Sequence, residues 1–90
     1  MKAIWKFPIA TTDAQLIPMP VGARLLTVQT QDESPCIWAE VSPAAEPVDR
    51  IIYVHGTGHT FDHDASYLGT YQVMGGMLIF HVYDGGEAGA

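Results

Sequence analysis

The chain has 90 residues, 48% of them apolar and only 16% charged, which fits one folded domain and argues against a disordered segment. Four basic against ten acidic side chains give a formal charge of −6, so an electrostatic grip on a phosphate backbone is disfavoured and no direct nucleic-acid contact is expected. A domain this small buries only about two-thirds of its unfolded surface, and partner chains are the usual supplement.

Glycine and proline punctuate the chain so densely that the longest stretch free of both, 23–34, is also the one that carries Thr27, Val28 and Thr30, leaving no room for a long helix. Between the breaks lie runs rich in β-branched and aromatic residues, which predict seven short strands: Ala3–Phe7, Gln15–Pro18, Arg24–Gln31, Cys36–Val41, Arg50–His55, Leu68–Met74 and Met77–Tyr83. Asp32-Glu33-Ser34-Pro35 reads as a surface loop between the third and fourth. Ser42–Asp49, with two prolines and two alanines, reads as a loop before the fifth. Gly75-Gly76 reads as the two-residue turn of a hairpin, because primed turns need positive φ. The expected fold is all-β: one small domain over 1–83, mostly antiparallel, in a sandwich or partly open barrel, followed by a flexible Gly-rich tail over 84–90.

Compartment follows from the same inventory. Cys36 is the only cysteine, so no intrachain disulfide can form, and a reducing cytoplasmic setting is expected. Lys6 and Pro8 interrupt the apolar start, unlike a signal peptide's core. No apolar run approaches the roughly 18 residues that would cross a bilayer, so no membrane partner is expected.

The strand faces bear on assembly. Leu78, Phe80 and Val82 alternate with Ile79, His81 and Tyr83, and the same two-sided pattern recurs at 51–55 and 36–41. Strands apolar on both faces need cover on both. Self-association, at least as a dimer, is expected, with Ile79, His81, Tyr83 and Trp38 as interface candidates. The competing expectation is that the loops 42–49 and 59–66 fold over these faces.

Three histidines, His55, His59 and His63, stand four residues apart beside Asp62 and Asp64. Imidazole and carboxylate are zinc ligands, but i, i+4 histidines share a face only on a helix, and Gly56 and Gly58 oppose one. These three are the only metal candidates, and no metal or cofactor is expected. Gly56-Thr57-Gly58 could turn successive N–H groups toward an anion; the plainer reading is a tight turn leaving a strand. Gly56, Thr57, Gly58 and His59, with Arg24 and Arg50 as cationic partners, are the ligand-binding candidates. No catalytic constellation is evident: Ser34, Ser42 and Ser66 lie in no nucleophile elbow, and Cys36 has no activating neighbour in sequence.

The order of Ile4-Trp5-Lys6-Phe7, Met19-Pro20 with Gly22-Ala23, Val28-Gln29-Thr30-Gln31, Trp38-Ala39, Gly56-Thr57-Gly58-His59, Gly69-Thr70-Tyr71-Gln72 and Phe80-His81 resembles a family of small phage and prophage β proteins with no assigned activity. The resemblance spans 3–83 and implies a mobile-element origin, hence the cytoplasm of a host cell. The function then expected is a non-enzymatic accessory protein that counters host defence by holding a nucleotide-like signal or blocking a host protein. The alternatives are a virion or assembly component and a metal-dependent hydrolase on the three histidines.

Overall fold

Period-two alternation fixes which side of each strand turns inward. In a computed structural model that describes residues 1–89, the chain forms β1 (Ala3–Pro8), β2 (Ala14–Pro20), β3 (Arg24–Gln31), β4 (Ser34–Val41), β5 (Pro47–Gly56), β6 (Ser66–Val73) and β7 (Leu78–Glu87), with a 3-10 turn at Met74–Gly76. Three strands in the order β1-β4-β3 make one antiparallel sheet, and four in the order β2-β5-β7-β6 make the other. The all-β expectation holds, as two facing sheets rather than a closed barrel. Ile37, Ala39 and Val41 of β4 face Ile52 and Val54 of β5 and Val82 of β7, and all six are buried. Pro8, Pro18 and Pro20 lie on β1 and β2, which are outer strands of their sheets, where a missing N–H leaves no ladder bond unmade. Where β6 crosses β3, a Cβ on Gly69 would come within 2.8 Å of the Val28 side chain, so glycine permits the approach.

Both predicted turns exist, with different lengths. Gln31 pairs with Ser34, so only Asp32 and Glu33 form the first turn, at φ 51° and 67° without a glycine. Val73 pairs with Leu78, so the second loop has four residues, Met74–Met77, closed by the Met77 N–H donating to the Met74 carbonyl at 3.2 Å. The Glu33 carboxylate accepts the Met74 N–H at 2.8 Å and ties the two hairpin tips together.

Most strand boundaries shift by one or two residues from expectation, and two shift further. β5 begins at Pro47, not Arg50, because Pro47 and Val48 pair with Pro20 and Met19 of β2. The chain from Asp84 to Glu87 is the end of β7 rather than a loose tail. Its register against β5 sets Glu87 opposite Arg50, and the Ala88 N–H donates to the Asp49 carbonyl at 2.8 Å. Gly85 serves close packing here: a Cβ would meet Tyr53 and Ile51 at 2.8 and 2.9 Å. Residue 90, the last of the expected tail, lies outside the described residues.

Candidate ring cluster and cleft

The outer face of the four-stranded sheet carries aromatic and imidazole side chains at alternate positions: Tyr53 and His55 from β5, opposite Tyr83 and His81 of β7, with Tyr67 and Thr70 from β6. Strand alternation puts them there, since Val54 and Val82 between them point into the core. The chain leaves β5 through Gly56-Thr57-Gly58-His59, a turn closed by the His59 N–H on the Gly56 carbonyl at 3.1 Å, with Gly58 at φ 88°. The His59 ring lies over Gly56, 3.1 Å from where a Cβ would stand. The segment 60–65 then returns across the sheet, so on this face a loop covers what strand alternation left apolar.

That return buries His55 to 7% exposure. The Nε2 atoms of His55 and His63 are 2.8 Å apart, and the ring centroids are 5.1 Å apart at 26°, so the rings meet end to end rather than overlapping. Phe61 stacks on His55 at 4.4 Å and 3°. Tyr53 stacks on His63 at 4.0 Å, and Tyr83 meets the same ring edge-on at 5.4 Å. The Ala65 N–H donates to His63 Nδ1 at 3.2 Å, so that nitrogen carries no proton. That arrangement assigns the donor role between the two rings to His63 Nε2 and the acceptor role to His55 Nε2, with the His55 ring proton on Nδ1. Burial holds the His55 pKa below the ordinary imidazole value; His63 and His59 add to the depression and Asp13 opposes it.

Beside the cluster opens a cleft of about 650 Å³, lined by Asp13, Ala14, Tyr53, His55, Gly58, His59, Thr60, Phe61, Asp62 and His63. Asp13 is there because Ala14 pairs with Tyr53 across β2 and β5. The imidazole of His81 is tied on both sides, to Thr57 Oγ1 at 2.8 Å and to Thr70 Oγ1 at 3.0 Å, and Thr70 in turn shares a 2.5 Å hydrogen bond with the Tyr67 hydroxyl.

Of the ligand-binding candidates, Gly56, Thr57, Gly58 and His59 form the turn at the cleft's edge, but the two arginines are elsewhere. Arg50 lies six residues from Gly56 along β5, about 20 Å at strand rise. Its guanidinium donates twice to the Asp84 carboxylate, at 2.9 and 2.7 Å, and once to the Ala23 carbonyl at 2.9 Å. Burial would raise the Asp84 carboxyl, but Arg50 and the Gly86 N–H prevail and hold it below its usual value. Arg24 meets Glu40 at 3.4 Å on the three-stranded sheet, where Lys2 meets the same carboxylate at 3.2 Å. The interface candidates divide likewise. His81 and Tyr83 are half-buried within the ring network, and Ile79 is 38% exposed near the hairpin. Trp38 is half-buried on β4 of the other, three-stranded sheet. Among the described residues no three His, Cys, Asp or Glu side chains are placed to hold a metal ion.

Tyr53, Phe61 and Asp13 are the site residues that the sequence did not single out. Phe61 carried a signal, a lone large aromatic inside a polar loop. Asp13 carried none, since only strand pairing brings it 40 positions along the chain to Tyr53.

The chain is thus a two-sheet antiparallel β domain with a ring-lined cleft under one loop. It belongs to the family described as a domain of unknown function, DUF7352, whose model matches residues 1–90. No curated protein and no solved structure matches it.

Proposed function

We propose that this protein is a non-enzymatic binding module that works by occupancy, holding the ring of a small nucleotide-like ligand in the cleft between Phe61 and the Asp13 edge of the sheet. The observation that carries this reading is Phe61, which lines the cleft and is 45% exposed although it packs on His55, His63 and Tyr83; an exposed aromatic ring in a cleft suits stacking of a planar ligand. Thr57 does meet an imidazole, but the other nitrogen of His81 meets the Thr70 hydroxyl and not a carboxylate, so the pair lacks the orienting acid of a hydrolytic triad. The biological setting we propose, a phage or prophage accessory protein countering host defence in the host cytoplasm, rests on the motif resemblance. Self-association belongs to the same proposal and is supported by the exposed Met77, Leu78 and Ile79 of the β6–β7 hairpin.

The test is thermal melting and calorimetric titration with a panel of nucleosides and nucleotides, on the native chain, on Phe61→Ala and on His59→Ala. Binding should raise the melting temperature of the native chain in proportion to RT ln(1 + [L]/Kd), and Phe61→Ala should weaken it about tenfold or more, as loss of a stacking face does. No response to any panel member, or equal responses in native chain and Phe61→Ala, overturns the reading.

A further inference from the structure

The charge lining the cleft is one-sided. Its acidic members are Asp13 and Asp62, and among the described residues neither carboxylate has a hydrogen bond or ion pair. No lysine or arginine lines it. All four basic side chains are engaged elsewhere: Lys2 and Arg24 with Glu40, Lys6 with the Gln31 side chain at 2.7 Å, and Arg50 with Asp84. Of the three histidines that line it, His55 and His63 do not restore the balance. A proton added at His63 Nδ1 would oppose the Ala65 N–H, and one added at His55 Nε2 would face the His63 N–H head-on.

A slot of this kind repels phosphate and favours a flat ring with donors on its edge. A carboxylate presents two acceptor oxygens side by side and is best filled by two parallel N–H donors, as in its fork with a guanidinium. We infer that the cleft recognises a planar heterocycle whose edge offers two adjacent N–H donors, of which guanine is the nucleobase example, with any phosphate chain kept outside. The ring lies on Phe61 and its donor edge meets the carboxylate of Asp13 or Asp62. This inference rests on the binding-module reading and adds the ligand's chemistry to it.

The experiment titrates guanosine, inosine, adenosine and guanosine triphosphate into the native chain, Asp13→Asn and Asp62→Asn. Both aspartates are exposed, so the variants should melt with the native chain when no ligand is present, which checks their folding. Guanosine should bind best. Inosine, which lacks the 2-amino donor, should bind at least tenfold more weakly, and one of the two Asn variants should erase that difference. The triphosphate should bind more weakly than the nucleoside at low salt, with the gap closing as salt screens the carboxylates. Inosine or adenosine binding as tightly as guanosine, or the triphosphate binding tightest at low salt, overturns the donor-edge inference and leaves the binding module standing. Silence across the panel removes both.

Discussion

His63 shows how one side chain can fix the protonation of another. Its Nδ1 accepts from Ala65 and its Nε2–H donates to His55, so a proton added at His55 Nε2 would set N–H against N–H. The buried ring of His55 has its pKa depressed below 6.5, while in the unfolded chain it titrates near the ordinary value. The unfolded state therefore binds more protons over the interval between the two values, and stability there rises with pH. The contribution is complete above about pH 6.5 and is lost as the pH falls toward the folded-state pKa. Urea denaturation should show lower stability at pH 5.5 than at pH 7.5, with the slope reduced in His55→Gln. An unchanged slope in that variant would move the acid sensitivity elsewhere. Asp84 is the control. Its carboxyl is lowered from 3.8, so its contribution is also present at higher pH but is lost only in the more acid range below that value, which separates the two windows.

At the scale of the element, β7 owes its last four residues to a clamp. Arg50 and Asp84 have side chains only 12% and 21% exposed, and the Arg50 guanidinium also reaches the Ala23 carbonyl next to β3. Removing one partner strands the other in a half-buried setting, which generally costs more than the intact pair contributes. Asp84→Asn should lower stability by about 2 kcal/mol and speed hydrogen exchange at the Ala88 amide, with the His55 cluster undisturbed; a change within about half a kcal/mol would show that the pair is superfluous. The same strand explains what the sequence could reveal. Turns that demand positive φ announce themselves when glycine fills them, as at Gly75 and Gly76, but Asp32 and Glu33 adopt it without glycine, so that turn's length was hidden. Gly85 and Gly86 read as flexibility, yet Gly85 is glycine because Tyr53 and Ile51 press against it. The Gly56–His59 turn was legible from its glycines. The meeting of His55 with His63 was not, since it depends on the path of a loop with no periodic pattern.

The whole molecule is thin, with Cα extents of 39 × 30 × 15 Å, as two facing sheets about 10 Å apart require. A slab has two broad outer faces, and a chain of this length cannot cover both. It spends the segment 60–65 on the centre of one, where Phe61 and His63 lie over Tyr53 and His55. That leaves the β6–β7 hairpin end open. Met74 is 59% exposed, Met77 79%, Leu78 44% and Ile79 38%, and a second cleft of about 390 Å³ runs between Met77–Phe80 and the Gly56-Thr57 turn. Flexible methionines beside an apolar cleft suit a surface that packs against another chain. The proposed interface is therefore centred on Ile79 and its hairpin neighbours, because Thr57 already engages His81 and Phe61 already packs on Tyr83. Light scattering at tens of micromolar should give twice the 9.8 kDa chain mass, and Ile79→Asp should return it to the monomer through a charge that the interface would have to bury. Because Ile79 faces away from the core, the variant's dilute melting temperature should match that of the native chain. A native chain that remains monomeric at that concentration would show that this end of the slab is left to solvent.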